Sequence, residues 1–154
     1  AALYDGYQAA QSQVYGPESR GGSSQGEVVI KDEAIYYPKV TCPDVLLCLS
    51  QEAYNKYAAD IVPNGILIID SDVVKSTGLE GASVKVYALP ILETAKTRLN
   101  NEMSANVVAL GAIIGLTHIV SNAAVERALA NNFKAKTLPG NIAAYHAGYA
   151  LAAE

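Results

Sequence analysis

The chain has 154 residues and a formal net charge of −4, enough length for one domain with a single core, in which such a chain buries roughly 70% of its unfolded surface. Hydrophobic residues make up 51% and charged residues 17%, which excludes a disordered chain and leaves a surface short of charge, as partner contact or Ala-rich helices would produce. No dense run of Lys and Arg is present, so duplex nucleic acid is not expected as a partner.

In chain order, residues 8–14 and 24–30 are expected as strands, the second rich in β-branched residues at Val28-Val29-Ile30. Between them lies Tyr15-Gly16-Pro17-Glu18-Ser19-Arg20-Gly21-Gly22-Ser23, too polar and glycine-rich to be core. Its glycines allow close backbone approach. Arg20, beside Gly21-Gly22, could hold a phosphate or carboxylate through its planar fork and nearby N–H groups. A glycine-rich hairpin tip with no ligand fits the same residues.

Two short apolar runs follow, Val45-Leu46-Leu47-Cys48-Leu49 and Ile66-Leu67-Ile68-Ile69. Continuous runs bounded by Pro, Asp or Gly are expected as strands covered on both faces, as in a parallel sheet. Residues 52–61 between them are helix-like, with Ser50 as N-cap and Glu52 favouring the positive helix start. Pro63-Asn64-Gly65 makes a turn, and the strand–helix–strand unit should cross over right-handed. Residues 84–89 form a third strand candidate, after which Pro90 opens a helix through about Leu99.

A long small-residue helix is expected over 104–116. Gly111 and Gly115 share one face of it at a cost of about 1 kcal/mol each against Ala. Close packing on the sheet, or a subunit contact, would compensate. Ser121 caps a helix over 123–131, and the last helix starts near Asn141 with the stripe Ile142, Tyr145, Tyr149 and Ala152 toward core or interface. The fold class is α/β with a mixed sheet, without internal repeats.

The two cysteines, Cys42 and Cys48, fit no zinc or iron–sulfur spacing, and Cys48 in its apolar run is expected in the core. No metal site is expected. The most apolar stretch, 107–116, is too short to span a bilayer. No secretory signal is visible, and a cytoplasmic location with no membrane partner is expected.

The stretch Tyr-Gly-Pro-Glu-Ser-Arg-Gly-Gly, followed by Glu27-Val28-Val29-Ile30, resembles the signature of the gamma subunits of 2-oxoacid:ferredoxin oxidoreductases. Pro43-Asp44-Val45-Leu46-Leu47 with Ser50-Gln51-Glu52-Ala53-Tyr54, Pro63-Asn64-Gly65-Ile66-Leu67-Ile68 through Asp70-Ser71-Asp72, and the helix from Met103 to Ala112 are similar to further blocks of that family, in order. The resemblance spans nearly the whole chain, so 1–154 is expected to be one gamma module.

It implies a Rossmann-like three-layer domain. Such domains open with a strand, a Gly-x-Gly-Gly-Gln-Gly loop and a helix, none of which is found here. With no initiator Met, the sequence is expected to begin partway through, about 25 to 35 residues or one βα unit in.

The resemblance also implies a reaction in which 2-oxoacid, coenzyme A and oxidised ferredoxin give acyl-CoA, CO2 and reduced ferredoxin. Thiamine diphosphate, Mg and iron–sulfur clusters would be bound by partner subunits and none by this chain. The partners implied are alpha and beta subunits, a ferredoxin-like delta subunit and ferredoxin, and the chain alone would be inactive. Tyr15, Gly16, Glu18, Ser19, Arg20, Gly21 and Gly22 carry over as a loop facing the active site and coenzyme A. Ser19 and Ser23, where pyruvate-acting members tend to carry Met and Thr, make the stretch more like the 2-oxoglutarate group. The pyruvate and 2-oxoisovalerate versions, or a non-catalytic module binding coenzyme A or a nucleotide, are the alternatives.

Ser50, Gln51, Asp70, Asp72 and Asn106 are further candidates on the ligand side. The first four follow strand ends, where open α/β sheets bind ligands, although helix and loop capping would use the same residues. Asn106, in an apolar helix, needs a hydrogen-bond partner if buried. His118 and His146 belong to no metal or catalytic pattern, and no Gly-x-Ser-x-Gly elbow is present.

Overall fold

The computed structural model describes residues 1–15, 24–77 and 83–153. A 3₁₀ turn at Ala2–Asp5 leads into β1 (Gln8–Tyr15), which pairs antiparallel with β2 (Ser24–Lys31) from Gln8↔Lys31 to Tyr15↔Ser24. Then come β3 (Val45–Cys48), α1 (Gln51–Tyr57), β4 (Ile66–Asp70), β5 (Lys85–Leu89), the short α2 (Ile91–Glu93) continued by a π-helical turn at Thr94–Arg98, and the helices α3 (Ala105–Thr117), α4 (Asn122–Asn132) and α5 (Leu138–Leu151). β3, β4 and β5 form a parallel sheet in that order. The antiparallel and parallel pairings thus lie in two separate sheets.

The apolar runs become strands for the expected reason. Their side chains alternate between two cores, so both faces must be apolar. Ile68 of β4, with Val45 and Leu47 of β3, faces a cluster built from Ile91, Ala95, Val108, Val125 and Tyr145. Leu67, Ile69, Leu46 and Cys48 face the other way, against Tyr54, Ala58, Ile61 and Val74. The result is helix, sheet and helix in three layers. Burial pushes the Cys48 thiol up to about 11, as an apolar wall disfavours the thiolate.

α3 is apolar all round, as a helix covered on more than one side should be. Its glycines do not meet the sheet as expected; they meet α5. A Cβ on Gly111 would strike the carbonyl oxygen of Tyr145 and lie 2.7 Å from the Tyr149 nitrogen, and one on Gly115 would lie 2.6 Å from Ala152 Cβ. From the other side, a Cβ on Gly148 would overlap the Val108 carbonyl. The two backbones touch, and the contacts made there offset the low helix propensity of glycine.

Ser50 and Ser121 cap α1 and α4, accepting hydrogen bonds at 3.2 Å from the N–H groups of Ala53 and Ala124. α5 starts at Leu138 and not near Asn141, because Pro139 suits a helical first turn and lacks only an N–H that has no partner there. Its tyrosine stripe is core: Tyr145 is fully buried and its hydroxyl donates to Asn122 Oδ1. Burial first, then Tyr149 and Glu126, pushes that phenol up to about 12. His146 is exposed and lies 3.0 Å from Glu126.

The first residues are pinned to α4. Asp5 accepts from the Ser121 N–H at 2.6 Å and from its hydroxyl at 2.7 Å, and Arg127 stacks over the Tyr4 ring at 4.3 Å. The Ser121 backbone N–H and then its hydroxyl hold the Asp5 carboxyl below the usual carboxylate range. A depressed folded pKa stabilises the latch above the unfolded value, and that stability is lost as pH falls through the folded one. The Ser121 amide resonance should therefore shift in the acid range, with a midpoint lower than that of an ordinary aspartate, and in Asp5→Asn it should stay still. A shift centred near neutral pH would refute this assignment.

Candidate functional site

Two regions carry the residues singled out from sequence. The first is the C-terminal edge of the parallel sheet. There Gln51 clasps the backbone of Lys75, accepting its N–H at 2.7 Å and donating to its carbonyl at 3.2 Å, while a further bond reaches Asn55. Gln51 thus ties the segment after β4 to the start of α1. Asp70 is fully buried and accepts from the N–H groups of Asp72 at 3.0 Å and Leu92 at 2.8 Å. It closes the turn after β4 and caps the start of α2. Ser50, Gln51 and Asp70 thus make contacts of the capping kind that sequence left open for them.

Asp72 is exposed and borders a cleft of about 310 Å³ with Leu92, Glu93, Lys96 and Glu102. Three carboxylates and one ammonium give this cleft a negative balance, unsuited to an anionic ligand. Asn106 departs from the buried position considered for it. It is exposed in the first turn of α3, where Oδ1 accepts from the Val107 N–H at 2.9 Å, because α3 buries the residues that follow and not this one.

The second region is the β1–β2 ribbon. Neither strand pairs with any other described strand, and none of their residues with a described side-chain environment is buried. Tyr7 and Ile30 root its base in the larger core cluster. At the far end Tyr15 pairs with Ser24. Gly16, Glu18, Ser19, Arg20, Gly21 and Gly22 lie outside the described residues, joined to those two ends. The ribbon's described hydrogen bonds run to Val40, not to the sheet edge that holds Asp70 and Asp72.

Glu27 was not singled out from sequence as a site residue. Its carboxylate accepts from Ser12 Oγ at 2.7 Å, Gln25 Nε2 at 2.6 Å and the Val40 N–H at 3.3 Å. A carboxylate inside a β-branched strand was the available signal; its backbone partner left none.

Residues 1–151 match the family described as pyruvate ferredoxin/flavodoxin oxidoreductase. The chain belongs to that family. It is 44% identical over 154 residues to the 2-oxoglutarate synthase subunit KorC of Methanocaldococcus jannaschii, covering 100% of this chain and 82% of that one. Among solved structures, the gamma subunit of a keto/oxoacid ferredoxin oxidoreductase from Geobacter sulfurreducens superposes with a TM-score of 0.84 at 40% identity, over 98% of this chain and 83% of that one. The 2-oxoglutarate:ferredoxin oxidoreductase of Magnetococcus marinus, solved with 2-oxoglutarate, coenzyme A and succinyl-CoA bound, gives a TM-score of 0.87 at 26% identity. There the match covers 99% of this chain and 27% of that one, so the same fold occurs as one part of a longer polypeptide. The expected α/β gamma-type fold is what these family members share.

Among the described residues no group of three or more His, Cys, Asp or Glu is placed to hold a metal. Cys42 is exposed and Cys48 buried, both free. Among the same residues no helix is long and apolar enough to cross a membrane.

Proposed function

We propose that this chain is the gamma subunit of a 2-oxoglutarate:ferredoxin oxidoreductase, a cytoplasmic complex that decarboxylates the 2-oxoacid, forms its acyl-CoA and passes electrons to ferredoxin. The observation that carries the reading is the end-to-end 44% identity with a 2-oxoglutarate synthase subunit. Thiamine diphosphate, Mg and iron–sulfur clusters are assigned to alpha and beta subunits and a ferredoxin-like delta subunit. Bound there, thiamine supplies the electron sink that decarboxylation requires. The part assigned to this chain is positional: the β1–β2 ribbon holds out the stretch Tyr15, Gly16, Glu18, Ser19, Arg20, Gly21 and Gly22 toward coenzyme A. Within it, the Arg20 guanidinium is a two-pronged donor suited to a phosphate.

A second carboxylate on the substrate distinguishes 2-oxoglutarate from pyruvate and from 2-oxoisovalerate. In a site shielded from water that charge must meet a cation, since an unpaired buried charge is costly. On the assembled complex, kcat/KM for 2-oxoglutarate should exceed that for the other two by at least about tenfold, as expected when a site built for a polar group meets an analogue lacking it. A preference for pyruvate or the branched-chain acid would overturn the substrate and leave the family.

A further inference from the structure

We infer that Glu27 is a positioning residue that braces the β1–β2 ribbon against the body of the domain and so fixes where its far end points; the inference rests on the reading that this end faces coenzyme A. A two-stranded ribbon with no buried side chain among those described draws little stability from itself in water. Its direction must be set by what holds it. At the base, Tyr7 and Ile30 pack into the core.

Halfway along, Ser12 and Glu27 face each other across the two strands, and Glu27 gathers donors from β1, β2 and the Val40 backbone. Val40 leads along the chain to a tethered segment. Three and four residues on, the carbonyls of Pro43 and Asp44 accept from Val62 at 3.1 Å and Ile66 at 2.9 Å, at the entry to β4. The brace therefore runs from the ribbon through one carboxylate to the central sheet.

Lever length shows why this matters. From the Ala9–Ile30 pair at the base to the Tyr15–Ser24 pair is six steps, about 20 Å, and from Ser12–Glu27 it is three, about 10 Å. A swing of roughly 10° about the base displaces the far end by about 3.5 Å, and pivoting at Glu27 halves that. Displacements near 1 Å already spoil the contacts of a positioning group, which here costs rate at limiting coenzyme A. Glutamine can replace the carboxylate here. Its oxygen accepts from Ser12 and Val40, and the Gln25 amide can turn its own oxygen toward the new NH2. Alanine breaks all three bonds.

The test uses the assembled complex with Glu27→Ala, Glu27→Gln and Arg20→Ala. Glu27→Ala should raise KM for coenzyme A by about tenfold or more with kcat within about twofold at saturation, the pattern of lost binding and not of lost chemistry. Hydrogen exchange should quicken in β1 and β2 and stay unchanged in α3 and α5. Glu27→Gln should restore both readouts. If Arg20→Ala impairs turnover while Glu27→Ala keeps the wild-type KM, the brace is refuted and the reading of the ribbon's end stands. If both are silent, that reading falls and takes the role of Glu27 with it. If Glu27→Gln fails as badly as Glu27→Ala, and exchange quickens throughout the domain, Glu27 serves general stability and the inference is overturned.

Discussion

Gly148→Ala should cost at least about 3 kcal/mol of stability, above the usual range for small-to-large changes because the obstacle is backbone. The new Cβ would overlap the Val108 carbonyl oxygen and lie 2.7 Å from its carbon. No rotamer change on α3 relieves that; the helices themselves must separate. Separation would unpack Val108 and Tyr145, both fully buried in the larger cluster. At this chain length the melting temperature should fall by roughly 6–12 °C.

Gly111→Ala should behave alike, meeting the Tyr145 carbonyl. The control is Gly140→Ala, also in α5, where a Cβ meets nothing within 4 Å. There alanine should be neutral or gain up to about 1 kcal/mol from helix propensity. Equal urea midpoints for Gly148→Ala and wild type would mean that the two helices do not touch as described.

Asp70→Ala should cost about 2–3 kcal/mol, because two backbone donors lose a buried ionic acceptor. Asp70 has no exposed surface, and its two oxygens divide the work: Oδ1 holds the Asp72 N–H and Oδ2 the Leu92 N–H. Asparagine can keep one of these bonds, so Asp70→Asn should lose roughly half as much. Urea unfolding with an unchanged slope, together with faster exchange of the Leu92 amide, would check both the size and the place of the effect. Full stability in Asp70→Ala would return Asp70 to the residues free to meet a ligand.

Asp70 also shows how far the sequence could be followed. Its position after an apolar run marked the end of a buried strand, and the capping reading rested on that alone. The partner that makes it a cap, Leu92, lies beyond β5, and no local pattern links the two. The same divide runs through the fold. β3 and β4 were legible because continuous apolar runs have few alternatives, and Ser50 and Ser121 because capping is a contact over three residues. The α3–α5 contact was half legible. Glycines four apart announce that something comes close, but Val108 carries no mark of being what Gly148 meets. In the candidate site, the Tyr15–Gly22 stretch stood out by resemblance and led to the family. Glu27 belongs to the same signature, but its contact with the backbone of Val40 left no mark in the sequence.

The pinning of the first turn to α4 has a consequence for the order in which the molecule is put together. Asp5 and Ser121 are 116 residues apart, and Tyr4 and Asn131 are 127 apart. α3 and α5, by contrast, are near in the chain and separated only by α4. Closing a loop costs entropy that grows with its length, so the local helical pair is favoured to assemble first and the first turn to dock last. On the ribosome the delay is absolute. Asp5 emerges long before its partner serine has been synthesised, and until then this bond cannot form.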